Sequence, residues 1–339
     1  MKAAVFQEAG KRLSVEEVPE PEPGDEDLIV QVGACGICGS DLHVSELSGA
    51  LPAGTIMGHE FAGEVVEVGA AARGEFAVGD RVCPLPYVAC GRCGPCLTGT
   101  GSHCKEIRSI GLGDLPGAYA ERVRVGARQT LQLPDSVSLR EGALVEPLSV
   151  GLHAVKQARL EPGEDVLVLG AGPIGLSTAL WARFLGAGTV AVSEKIAGRL
   201  EIAEEFGATC LIDASKQDAA TTFDEVAGHP PDVIFECVGV PGMLQQCVEL
   251  APVEGRVVVA GVCMQVDALV PVLAILKEIS FHFVLGYTRQ EFQLAIEMLG
   301  NGRIRGGPMV TDSIGLSELP EIFEALRKPT SQCKVVLEF

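Results

Sequence analysis

From Met1 to about Leu133, apolar residues come in short alternating or β-branched runs, AAVF, DLIVQVGAC, FAGEVVEVG, DRVCPL and AYAERVRV, each cut off by proline or glycine. Runs of this length and period predict the strands of a β-rich domain. From about Glu146 the texture changes. VLVL at 166–169 is an unbroken apolar run that passes through glycines into a helix from about Ile174. Strand and helix then alternate: strand TVAVSE, helix 197–206, strand Thr209–Ile212, helix 219–227, strand Asp232–Glu236, helix 241–251, strand Arg256–Gly261 and strand 280–285. That alternation predicts an α/β domain built on a doubly wound parallel sheet. Beyond it, EFQLAIEMLGNG reads as an amphipathic helix, a second helix lies near 317–327, and CKVVLEF reads as a strand returning to the first domain. The expected division is 1–147, 148–284, and a C-terminal segment 285–339 that completes the first domain.

The junction after VLVL carries chemistry. Gly170, Gly172 and Gly175, with Pro173 and Ile174 between the last two, form G-x-G-x-x-G where the strand turns into the helix. Such glycines allow a tight turn, close approach of a pyrophosphate and packing of helix on strand. Glu194 ends the next strand nineteen residues after Gly175, where a carboxylate accepts hydrogen bonds from adenosine ribose hydroxyls. A 2′-phosphate there meets like charge, so NAD is the expected cofactor; Lys195 and Arg199 are the residues that would favour NADP. The apolar stretch Val166–Ala182 holds three glycines and a proline, and this junction explains it better than a membrane span does.

Twelve cysteines without a pairing logic argue against a disulfide framework. Four of them, Cys90, Cys93, Cys96 and Cys104, lie in CGRCGPCLTGTGSHC, within a lobe spanning 88–106 that has no apolar run to order it. Four thiolates at this spacing close on one zinc ion; an iron–sulfur cluster or four reduced surface thiols are the alternatives. Zinc with four sulfur ligands has no open position, so this cluster is structural and the reaction belongs elsewhere. Upstream, CGICGSDLH at 35–43 and GHE at 58–60 offer Cys38, His59 and Glu60, and Glu146 adds a second carboxylate. A catalytic zinc needs three protein ligands and an open position. The spacing leaves open whether His59 is a ligand or a satisfied structural histidine. Ser40, Asp41 and His43 follow Cys38 directly, as a hydroxyl, a carboxylate and a titratable base, or as a turn capping a helix that starts near Asp41.

A formal net charge of −19 repels phosphate backbones and anionic lipid, which disfavours nucleic acid and membranes as partners and leaves small molecules. The N-terminus, MKAAVFQEAGKRLSVEEV, interrupts each apolar run with polar residues, unlike a signal peptide, so a cytoplasmic location is expected.

GICGSDLH, GHE, the four-cysteine lobe, EPLSVGLHA, GAGPIG and the acid after the second strand occur in one order along the chain. In this the sequence resembles the zinc-dependent alcohol dehydrogenases of the medium-chain dehydrogenase/reductase superfamily, most closely the polyol and 2,3-butanediol branch. The resemblance implies a GroES-like β-rich catalytic domain and a Rossmann domain with the active site in the cleft between them. It also implies two zinc ions per chain and a homo-oligomer, tetramer rather than dimer. Cys38 and His59 match the family's metal ligands, Glu60 and Glu146 share its carboxylate position, and Ser40 and His43 match the two ends of its proton relay. The implied reaction transfers a hydride between a secondary alcohol and NAD. Val44 and Leu285–Gly286 stand where polyol dehydrogenases commonly carry Tyr and Arg, which points to a moderate-sized, mainly apolar and possibly cyclic alcohol; a polyol or 2,3-butanediol is the alternative. A redox-sensing relative without turnover is the competing class, disfavoured by retention of Cys38, His59 and both carboxylates.

Overall fold

The computed structural model describes residues Met1–Phe339, which form two compact units. One comprises Met1–Glu146, Tyr287–Pro329 and Lys334–Phe339; the other comprises Pro147–Gly286 and Thr330–Cys333.

The first unit is β-rich, as the runs of its N-terminal part predict. Its larger sheet runs in the order Thr130–Gln132, Arg81–Pro84, Glu60–Val68, Asp27–Gly36, Lys334–Glu338 and Val310–Ile314, with Arg122–Gly126 also paired to Asp27–Gly36. Asp27–Gly36 is buried on both faces, which is why its apolar residues, Leu28, Ile29 and Val30 among them, do not alternate cleanly. The C-terminal strand pairs antiparallel with it and places Val336 across from Gly36, while Gly36 also faces Glu60 on the other side. Gly36 has to be glycine: a Cβ there would lie 2.1 Å from Glu60 Oε2. One core of Phe61, Tyr119, Val123, Phe323, Val335 and Leu337 joins the N-terminal and C-terminal parts of this unit.

The second unit is a Rossmann-like six-stranded sheet, all parallel, in the order Cys210–Asp213, Val190–Glu194, Val166–Leu169, Val233–Glu236, Arg256–Val259 and Ser280–Phe283. Val166–Leu169 is buried throughout, as an unbroken apolar run in a central parallel strand requires. Thr330–Cys333 belongs here because Arg199 Nε donates to the Gln332 carbonyl at 2.9 Å and Ser331 packs against Gly198. The helix expected over 197–206 is α-helical only over Ala197–Ile202; it tightens to a 3₁₀ turn over Ala203–Phe206 and stops at Gly207, whose φ of 84° is left-handed. Two helices carried no clear sequence signal, Val145–Gln157, with Glu146 in its first turn, and Pro271–Leu276. No helix is long and apolar enough to cross a membrane, and 166–182 divides into a strand and the helix Pro173–Phe184.

Candidate metal centres and cofactor site

Asp27–Gly36 ends at the helix Gly39–Glu46, capped by Cys38, and the neighbouring strand opens at Glu60. This brings one ligand atom from each of Cys38, His59 and Glu60 within 4.8 Å of one another. The helix starts two residues before Asp41, and Asp41 does more than cap it. Its buried carboxylate accepts from the Cys38 amide at 3.3 Å, from the Tyr119 hydroxyl at 2.6 Å and, through Oδ1, from His59 Nδ1 at 3.1 Å. A carboxylate only accepts, so the proton of neutral His59 sits on Nδ1 and the lone pair of Nε2 points away from Asp41. Ser40 Oγ stands 3.4 Å from Nε2 and 3.2 Å from Cys38 Sγ. Burial acts to lower the His59 pKa, but the charges of Asp41 and Cys38 prevail and raise it well above the usual histidine value. The negative surroundings that favour a proton on this buried imidazole also favour a metal cation in its place.

Glu60 is 1% exposed and is gripped by Lys334, whose Nζ lies 2.8 Å from Oε1 and 2.6 Å from Oε2. Burial works against the Lys334 charge, yet Glu60 holds its pKa above the usual lysine value. Glu146 is half-buried; burial, followed by the charge of Glu60, pushes its pKa up to about 7. The buried Tyr287 hydroxyl makes no hydrogen bond of normal geometry, and the charge acting on it most strongly is Glu146. His43 is exposed on the helix of Ser40, with no hydrogen bond between the two. Val44 packs against the core of the unit, and Leu285 is 66% exposed. A groove of about 1100 Å³ in this unit lies beside the cysteine lobe and is lined by none of Cys38, His59 and Glu60. Asp41, Tyr119, Tyr287 and Lys334 complete the surroundings of the site. The sequence marked Asp41 as a carboxylate beside Cys38 or as a cap, and nothing local marked the other three, which come from distant parts of the chain.

In the lobe, the Sγ atoms of Cys90, Cys93, Cys96 and Cys104 all lie within 4.8 Å of one another, with Cys93 to Cys96 at 3.4 Å and Cys90 to Cys96 at 3.9 Å. A tetrahedral Zn–S₄ site at ~2.3 Å per bond needs sulfurs about 3.8 Å apart. All four are free thiols, and the short helix between them, Gly94–Leu97, buries no residue. The backbone amides of Arg92 and Cys93 lower the Cys90 pKa to about 6, while burial and then its bond to Cys93 push Cys96 up to about 12. One thiolate forms readily; four together need a cation. The donor set fits zinc.

In the second unit Gly170 takes a left-handed φ of 95°, and Gly172 caps the helix Pro173–Phe184. A Cβ on Gly175 would lie 1.9 Å from the Gly170 carbonyl, whereas a Cβ on Gly172 would meet nothing within 4 Å. Gly175 therefore secures the turn, and Gly172 leaves open space at a helix N-terminus, where a pyrophosphate fits. Glu194 Oε2 accepts from the Ala171 amide at 2.9 Å, and Oε1 accepts from the Lys195 and Ile196 amides at 2.6 and 3.0 Å. The carboxylate is fixed beside the glycine turn, with its charge partly taken up by three amides. Arg199 is half-buried and tied to Gln332, and Lys195 is exposed.

The alcohol dehydrogenase GroES-like domain family matches residues 24–135, and the zinc-binding dehydrogenase family matches residues 173–301. Sorbitol dehydrogenase of Bacillus subtilis is 32% identical, over 100% of this chain and 97% of its own. The crystal structure of 2R,3R-butanediol dehydrogenase from Bacillus subtilis superposes with a TM-score of 0.88 at 32% identity, covering 100% of this chain and 99% of that one. A protein of Sinorhizobium meliloti 1021, solved bound to NADP, gives a TM-score of 0.88 at 34% identity over 100% and 99% of the two chains. With its two units, its cysteine lobe and its likeness to these enzymes along the whole length, the chain belongs to the zinc-type alcohol dehydrogenases of the medium-chain dehydrogenase/reductase superfamily.

Proposed function

We propose that this dehydrogenase interconverts a moderate-sized secondary alcohol and its ketone with NAD, with one zinc ion at Cys38, His59 and a carboxylate and a second in the cysteine lobe. The observation that carries the reading is the approach of Cys38, His59 and Glu60 ligand atoms within 4.8 Å, with Nε2 of His59 turned away from Asp41. When bound, zinc supplies a Lewis acid for the carbinol oxygen and NAD supplies the hydride acceptor. Asp41 fixes the tautomer and orientation of His59. Ser40, within hydrogen-bond distance of both Cys38 and His59, accepts the alcohol proton as it gives up its own hydroxyl proton, and exposed His43 is the base that exchanges protons with solvent. Gly170, Gly172, Pro173, Ile174 and Gly175 form the turn that receives the pyrophosphate, and Glu194 orients the ribose.

The reading of an apolar substrate body comes from the sequence, where Val44 and Leu285 stand at positions that polyol dehydrogenases commonly fill with polar residues, and each buried hydroxyl left without a partner costs roughly 1–3 kcal/mol. The relatives that act on sorbitol and on butanediol favour a second reading, a polyol or vicinal diol. Arg199 and the NADP-bound neighbour favour NADP as the alternative cofactor. A cytoplasmic homo-oligomer, tetramer rather than dimer, goes with this reading. Twelve free thiols support the location, and the exposed apolar residues Val266, Ile275, Leu276 and Phe283 support self-association, which sedimentation velocity measures. The deciding assay compares rates on cyclohexanol, 2,3-butanediol, sorbitol and a primary alcohol with NAD and with NADP. Cyclohexanol with NAD fastest is the expected result; sorbitol fastest, or NADP preferred, overturns the corresponding part.

A further inference from the structure

The groove of about 1100 Å³ beside the cysteine lobe combines an apolar wall with polar groups that have nothing to bond. Leu85, Leu131 and Ile296, all buried, build the apolar side. Tyr87 and Gln129 also line it and are only 7% and 8% exposed, yet neither the Tyr87 hydroxyl nor the Gln129 side-chain amide makes a hydrogen bond within the protein. Polar groups this deep are normally partnered. Two arginines line the same space. Arg289 is half-buried, and its guanidinium donates only to the carbonyls of Arg128 and Thr130, at 2.7 and 3.5 Å. Arg128 lies across Gly91, where a Cβ would come within 2.8 Å of Nη1, and the left-handed φ of 70° at Gly91 suits a residue without one. Neither guanidinium is paired with a carboxylate, although the chain carries 45 acidic residues against 26 basic ones. The glutamates on the groove walls, Glu26, Glu75 and Glu297, are exposed, so solvent screens them, and Glu297 is engaged by Gln293 Nε2 at 3.0 Å.

We propose that this groove is a small-molecule site separate from the metal and cofactor sites, and that its ligand is a carboxylate with an apolar body. Arg289 and Arg128 take the carboxylate, whose geometry matches the planar fork of a guanidinium. The Tyr87 hydroxyl and the Gln129 amide donate beside them, and the body lies against Leu131 and Ile296. Ligand pockets have this make-up, mostly apolar walls with a few placed polar groups. A neutral molecule leaves both guanidinium groups unpaired, and a small anion leaves the apolar wall wet.

Isothermal titration calorimetry of the full-length holoenzyme tests this with hexanoate as the probe, and with hexanamide and acetate as controls that lack the charge or the body. Hexanoate is expected to bind saturably at millimolar concentration and at least ~10-fold more tightly than either control. Arg128→Gln and Tyr87→Phe lie outside the metal and cofactor sites, so turnover should stay parental while hexanoate affinity falls at least ~5-fold in each. Arg128 is exposed, so Arg128→Gln decides the matter should Tyr87→Phe fail to fold. Absence of saturable binding by the parent, equal affinity for hexanamide, or parental hexanoate affinity in Arg128→Gln would overturn the proposal. A parent that binds no hexanoate, together with a shift of Arg128→Gln to smaller species in sedimentation velocity, would overturn it in favour of a second copy of the chain as the occupant.

Discussion

Asp41→Asn replaces one carboxylate oxygen by an amide with almost no change of shape, and the structure gives its consequence in some detail. Asp41 is fully buried and receives three donors, the Cys38 amide, the Tyr119 hydroxyl and His59 Nδ1. An asparagine oxygen can serve one side of this cluster, while its NH₂ must face a donor on the other. If the NH₂ faces His59, the imidazole gives up the Nδ1 proton and moves it to Nε2, the atom that a metal needs unprotonated. If it faces Tyr119 and the Cys38 amide, those donors lose their acceptor, at about 1–3 kcal/mol for an unsatisfied buried group. In either orientation the support of His59 is lost, and such losses typically cost 10–100-fold in metal affinity, about 1.4–2.7 kcal/mol. Chelator competition measures that affinity on the Cys38 site, with the lobe zinc as internal control because none of its ligands touches Asp41. The account predicts at least a tenfold loss confined to this site. Parental affinity in a folded Asp41→Asn protein would refute the role given to Asp41.

Three further outcomes follow from other parts of the molecule. In chelator-stripped protein, Cys90, lowered to about 6, is largely thiolate at pH 7, whereas Cys96, raised to about 12, is not, so alkylation followed by mass spectrometry should label Cys90 much faster. That preference should fade as pH falls through 6; equal labelling of the two at pH 7 would contradict it. Glu194→Ala removes the acceptor of the Ala171, Lys195 and Ile196 amides together with the negative charge, so fluorescence titration should give weaker NADH binding and a shift of the NADH-to-NADPH ratio towards NADPH. An unchanged ratio counts against Glu194 as the discriminating group. Gly175→Ala forces a Cβ to within 1.9 Å of the Gly170 carbonyl, so the turn must deform and NADH binding should fall at least tenfold, while zinc content stays at the parental value.

Where function depended on local spacing, the sequence was legible. The cysteine lobe could be read from spacing and from its lack of apolar runs, since four ligands within fifteen residues need no long-range information. The glycine turn was legible for the same reason: strand, turn and helix are adjacent, and the clash awaiting a Cβ at Gly175 is local. The Cys38 site was only half legible. Cys38, Ser40 and Asp41 share one turn, but their arrangement depends on Glu60, Tyr119 and Lys334, which reach the site through strand pairings across the chain. The part of Asp41 as the support of His59 follows from that pairing, which is why local reading left it between a nearby carboxylate and a cap. Helix Val145–Gln157 was hidden because its first turn holds Glu146 and Pro147 rather than a capping residue followed by an apolar period. The break after Ile202 depends on packing that no local pattern specifies.

The central claim is that this chain holds two metal ions of different kinds, one structural and one in a site with an open position. Elemental analysis of the purified parent and of Cys38→Ser tests it most directly. The account predicts two zinc ions per chain in the parent and one in Cys38→Ser, with the lobe zinc retained and alcohol oxidation abolished. A single zinc ion in the parent, or the same zinc content and activity in Cys38→Ser, would contradict it.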